Sequence, residues 1–185
     1  MDQQKFAELI LYIAQQCKDH RYFGATKLNK VLFESDFRAY LELRKSITGA
    51  TYFKLDKGPV PKPLVPVREM LIAQGSLSIE IKSVGGKKQE RPIALRAPDL
   101  SIFSKEELEL VDDVIATHKN LTAMQSSQRS HNWIGEIAFW GFHVVGEEQD
   151  IPYGTAFLRD PAKTKITKRR QKKAEELVQL QGRIE

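Results

Sequence analysis

Hydrophobic positions in the first sixty residues form helical stripes followed by an extended run. Phe6, Leu9, Ile10, Ile13 and Cys17 recur three or four apart, with Gln4, Glu8, Gln15 and Gln16 elsewhere. That spacing predicts a helix over about residues 3–18. Leu28, Val31, Leu32 and Leu41, with Phe33, Phe37 and Tyr40, predict a longer amphipathic helix with Thr26 as N-cap. Tyr52, Phe53 and Leu55 among Thr, Gly and Lys then predict a strand within residues 47–56. Lys57-Gly58-Pro59 closes it with a turn, since Gly takes positive φ and Pro fixes its own.

The next segment opens with Pro63 and Pro66 and stops at Gly75, the punctuation of a helix. Val67, Met70, Leu71 and Ala73 are its inward face. Leu77, Ile79 and Ile81 alternate with Ser78, Glu80 and Lys82, a half-buried strand. Gly85-Gly86 turns it into a hairpin whose return strand contains Pro92, an edge-strand feature. The order helix, helix, strand, helix, hairpin is that of a winged helix, with Lys87 and Lys88 at the tip of the wing.

Ser104 and Glu107 form a capping box, and Phe103 with Leu108 a hydrophobic staple, for a helix reaching about His118. Leu108, Val111, Val114 and Ile115 face inward. A short helix follows Leu121. Residues 133–142 hold Trp133, Phe139, Trp140 and Phe142, an aromatic segment that closes the core or forms a partner surface. The fold class expected is mainly helical α+β, with a small antiparallel hairpin and a basic C-terminal helix.

With 41% hydrophobic residues and a mean hydropathy of −0.41, the chain can pack a core. No run approaches the roughly 20 apolar residues of a membrane span. The N-terminus lacks signal-peptide features, and a single cysteine forms no internal disulfide. A cytoplasmic protein is expected. The net charge of +5 gains meaning once located. Residues 162–185 hold eight Lys/Arg and three Glu, whereas residues 1–161 hold 21 of each sign. The expected organisation is therefore a domain over 1–161 and a basic helical tail over 162–185. That tail is a solvated helix, or an arm for nucleic acid or an acidic surface.

Catalytic patterns are missing from the sequence. His20, His118, His131 and His143 make no HxxxH or HExxH pair, and no nucleophile elbow, Walker or dinucleotide fingerprint occurs. Ser130-His131 is adjacent in sequence, which does not build a triad. Neither an enzyme nor a cofactor is expected.

Two motifs go further. Lys27-Leu28-Asn29-Lys30-Val31-Leu32-Phe33-Glu34-Ser35-Asp36 is followed by Ser46-Ile47-Thr48-Gly49-Ala50-Thr51-Tyr52 and by Gly58-Pro59-Val60-Pro61. They resemble the KLxKLLFxxD and xITGxxYxxxxxGPVP motifs of the Panacea (SocA-like) antitoxin domain family. Ser104 to Leu108, Ser130-His131, Trp133 and Ile151-Pro152 match further family features, so the resemblance spans about residues 5–158. It implies a type II antitoxin that binds and blocks a cognate toxin encoded nearby, in a host or phage-defence setting. The chain begins at the family domain, which counts against autoregulation through an added helix-turn-helix.

Exposed positions of the motif helix and turn are the candidate partner surface: Lys27, Lys30, Glu34, Asp36, Tyr52, Lys54, Lys57 and Val60. A nucleic-acid binder is the second reading, through Lys87, Lys88, Lys168, Arg169, Arg170, Lys172 and Lys173. A proteolytic adaptor delivering a toxin to a protease is the third.

Overall fold

The first stripe folds as α1, Gln3–Gln16, in a computed structural model that describes residues 1–131 and 145–157. Asp2 caps it by accepting from Lys5 N at 2.9 Å. Every residue from Phe6 to Ala14 is buried, so α1 is a central helix and not a one-faced one. Glu8, expected on the polar side, is 6% exposed. Arg96 clamps its carboxylate at 2.5 and 2.8 Å, and Asp99 N donates to it at 2.8 Å. Periodicity identified the apolar stripe but could not foresee what covers the other side. Cys17 is buried in the core, where desolvation pushes its thiol up to about 12. It is a small core residue, as expected.

α2 runs Ala25–Leu43 with Gly24 as its N-cap, two residues earlier than a Thr26 cap would place it. Gly24 has extended backbone, and its glycine identity follows from crowding. A Cβ there would lie 2.6 Å from Gln89 Cγ and 3.0 Å from Glu90 O. The hairpin strand thus seats directly against the start of α2. The helix ends at Arg44 in the left-handed region.

The strand expected within residues 47–56 shrinks to β1, Tyr52–Phe53. The backbone before it is committed elsewhere: Thr48 N donates to Asp36, and Gly49 turns with φ +69°. Beyond it Gly58, with φ +101°, makes the turn into β2, Val60–Pro61. α3 spans Leu64–Ala73 and turns Val67 and Leu71 inward; Ala73 is exposed. Gly75 at φ +67° ends that segment.

β3, Leu77–Val84, and β4, Lys87–Ala94, pair antiparallel from Leu77↔Ala94 to Val84↔Lys87. Gly85 and Gly86 both have positive φ, the two-residue hairpin turn that matches strand twist. Pro92 lies opposite Ile79 in this two-stranded ribbon, where each strand is an edge. Leu77 is buried but Ile81 is 59% exposed, because the outer half of the hairpin extends past the body.

α4, Lys105–His118, has the expected capping box, with Glu107 N to Ser104 Oγ at 3.2 Å and Ser104 N to Glu107 Oε2 at 2.9 Å. Phe103 and Leu108 both pack into the core. α5, Ala123–His131, follows, with Gln125 N donating to Thr122 Oγ1 at 3.2 Å. β5, Asp150–Ile151, completes a three-stranded sheet in the order β2-β1-β5, where Tyr52 faces Pro61 and Ile151. The fold is mainly helical α+β. Among the described residues no helix is long and apolar enough to cross a membrane. The aromatic segment from Trp133 to Phe142 and the tail cations Lys168, Arg169, Arg170, Lys172 and Lys173 lie outside the described residues.

Candidate functional site

The charged motif residues of α2 point into the protein. Lys27 and Asp36 are fully buried, and Lys30 and Glu34 nearly so. Tyr52 is also interior. The expectation of an exposed stripe is corrected for all five. Between Lys27 and Phe37 every residue of α2 but Asn29 is buried, and the charged side chains there find partners inside.

The four on α2 tie that helix to other parts of the chain. Lys27 Nζ donates to His118 O at 2.9 Å and Lys119 O at 3.4 Å, at the end of α4. His118 O also accepts from Leu121 N at 3.2 Å, and these terminal carbonyls carry the negative end of the helix dipole. Burial holds the Lys27 amine below its ordinary value. Lys30 Nζ donates to Pro59 O at 3.1 Å and so holds the Gly58-Pro59 turn. Desolvation pushes this amine down to about 7.

Glu34 reaches α4 and α5 together. Its carboxylate accepts from His118 Nε2 at 2.9 Å and from Arg129 Nε and Nη2 at 3.0 and 2.8 Å. Burial pushes this carboxyl up, but the His118 and Arg129 hydrogen bonds prevail and hold it below its ordinary value. Asp36 accepts from Thr48 N at 2.8 Å, Thr48 Oγ1 at 2.5 Å and Tyr52 Oη at 2.7 Å. Here burial wins over the hydrogen bonds, and the carboxyl sits above its ordinary value. The two carboxylates differ because Glu34 has the cationic guanidinium of Arg129 among its donors, whereas the Asp36 donors are all neutral.

His118 was not singled out by motif reasoning. It bridges Glu34 to Ser126, with Nδ1 3.1 Å from Ser126 Oγ. With Nε2–H facing the carboxylate, Nδ1 accepts from the serine hydroxyl, the tautomer this network selects. Ser126, His118 and Glu34 therefore stand in the order of a hydrolytic triad. Ser126 is fully buried and Arg129 grips the carboxylate, so a substrate has no approach to the hydroxyl. The arrangement acts as a brace. A signal for His118 did exist, because positions 111, 114, 115 and 118 continue one inward helical stripe.

A second layer is aromatic. Phe33 and Phe37 lie 4.3 Å apart, and Tyr52 meets them edge-on at 5.4 and 5.7 Å. Tyr153 packs on Phe37 at 4.7 Å and donates to Ala50 O at 2.7 Å. The Ile151-Pro152 segment is thereby drawn against the motif helix.

Three of the candidate partner residues remain at or near the surface. Lys57 is exposed, while Lys54 and Val60 are half-buried. Their turn is firmly held. Lys54 exchanges backbone hydrogen bonds with Gln149 and Glu148, and Lys57 O accepts from Ser127 Oγ at 2.7 Å. Lys87 and Lys88 are exposed at the hairpin tip. Among the described residues no group of His, Cys, Asp or Glu is placed to hold a metal ion.

No curated protein and no solved structure matches this chain. A family model does, over residues 28–134, a narrower span than the 5–158 of the motif resemblance. It takes in α2 with its Lys30, Glu34 and Asp36 braces, the Gly58-Pro59 turn, the hairpin, α4 and α5. With more than half its length matched, the chain belongs to the family described as antitoxin SocA-like, Panacea domain.

Proposed function

We propose that the protein is a type II antitoxin that neutralises a cognate protein toxin by direct binding, without catalysis or a cofactor. The antitoxin-like family supports this reading in general terms. The observation that carries the direct-binding part is the inward commitment of the motif charges. Lys27, Lys30, Glu34 and Asp36 fix the positions of α4, α5, the Gly58-Pro59 turn and Tyr52. They hold a rigid surface, and a rigid surface loses little conformational freedom on binding a partner. Lys57, with Lys54 and Val60 beside it, lies on that surface.

The test is co-expression with the adjacent gene in a bacterial host. The antitoxin reading requires that the neighbour alone arrests growth, that this chain restores it, and that the two co-purify. Restoration without a complex, or a harmless neighbour, contradicts it. The exposed Lys87 and Lys88 are what favour the nucleic-acid reading, and a steep loss of DNA binding with added salt would support it.

A further inference from the structure

A cavity of about 620 Å³ opens where the start of α2, the tip of the β3–β4 hairpin and the start of α5 meet. Arg21, Lys87 and Lys88 line it and are exposed. Among the described residues none of the three pairs with a carboxylate. Glu90, also in the wall, is drawn toward Arg68 at 3.8 Å. Val84 and Met124 add apolar surface, Met124 being 69% exposed. Residues 1–161 carry equal numbers of acidic and basic residues, so this positive concentration is local.

We propose that this groove receives an acidic segment of the protein partner, with carboxylates flanking an apolar side chain; the proposal rests on the antitoxin reading. Cations without a carboxylate partner around a concave site raise the local concentration of negative groups and select the register of the incoming chain. Met124 and Val84 give an apolar side chain something to cover, and methionine adapts to its shape. Nucleic acid fits less well. A duplex presents its phosphates on a convex surface, which a concave groove of this size does not match. A single strand needs aromatic platforms, and Tyr22 is already engaged by the Arg21 guanidinium at 5.4 Å and the Lys27 ammonium at 5.9 Å.

Fluorescence anisotropy of the full chain with a labelled peptide of repeated Glu-Glu-Leu tests this, with a Gln-Gln-Leu peptide as control. The expected result is binding of the acidic peptide alone, weakening with salt. It falls about tenfold or more in the Arg21→Glu, Lys87→Glu, Lys88→Glu triple variant and tightens in Glu90→Gln. Circular dichroism of the triple variant should match the parent, because all three side chains are exposed. Failure to bind the acidic peptide, or equal affinity for parent and triple variant, overturns the proposal. So does tighter binding of a short labelled oligo(dT) that depends on the same three cations, since the groove would then read phosphate. The adjacent gene's product separates the two claims. Co-purification with parent and triple variant alike keeps the antitoxin reading and removes the groove. Co-purification with neither removes the antitoxin reading, while the peptide titration still decides the groove.

Discussion

Glu34 and His118 stand 84 positions apart in the chain and meet at 2.9 Å inside the fold. Arg129 completes the contact from α5, with 27% of its side chain exposed against 3% for Glu34. Cutting the carboxylate away leaves a buried imidazole and a half-buried guanidinium without their acceptor. Glu34→Ala should destabilise the protein by about 3 kcal/mol, at the lower end for a broken buried pair because Arg129 can reach water. Glu34→Gln keeps the shape and should cost less. Urea unfolding at pH 7 measures both, and an alanine effect under about 0.5 kcal/mol would mean that the brace carries little of the fold.

Lys30 gives the stability curve a slope on the alkaline side. Its amine is pushed down to about 7 in the folded protein, from an ordinary 10.5. Between those values the unfolded chain holds a proton that the folded chain has lost, so stability rises with pH across that window. Below about pH 7 the lysine is charged in both states, and the full cost of burying the charge is present. Lys30→Met removes the titration. The variant should match or exceed the parent at pH 6, lose ground relative to it by pH 9, and give a flatter curve. Urea midpoints at the two pH values test this, and identical slopes would contradict it.

The Gly24 position is a test of close packing. An alanine methyl would meet Glu90 O at 3.0 Å, and a backbone carbonyl cannot rotate away as the Gln89 side chain can. Gly24→Ala should cost about 1–3 kcal/mol by thermal denaturation and loosen the hairpin against α2. Protection of the Arg91 and Ile93 amides from hydrogen exchange should fall with it.

Tyr52 tests the Asp36 cluster. Tyr52→Phe leaves the ring edge-on against Phe33 and Phe37 but takes one of the donors from a fully buried carboxylate. A loss of about 1–2 kcal/mol in urea unfolding is expected. No loss would indicate that the hydroxyl contributes nothing to holding β1 beside α2.

How legible this was follows from which interactions are local. The α4 capping box depends on Ser104 and Glu107 three residues apart, and the hairpin turn on two adjacent glycines, so both could be read directly. The long apolar stripe of α2 was equally plain. What the stripe could not reveal is that Lys27, Lys30, Glu34 and Asp36 also lie inside. Charged residues are rarely buried without partners, and their partners lie 29 positions away for Lys30 and 95 for Arg129 with Glu34. The N-cap shifted from Thr26 to Gly24 for a related reason: the strand that crowds Gly24 comes from residues 89 and 90. The groove was half visible, since Lys87 and Lys88 were noted, but only the folded chain brings Arg21 and Met124 beside them.

The central claim is that the motif charges build the scaffold and exposed positions bind the partner. Calorimetric titration of the purified adjacent-gene product tests it most directly, using the parent, Lys30→Met and Lys57→Glu. The account predicts a stoichiometric complex whose affinity is unchanged in folded Lys30→Met and about tenfold or more weaker in Lys57→Glu. Loss of binding in a fully folded Lys30→Met, with Lys57→Glu unaffected, would contradict it.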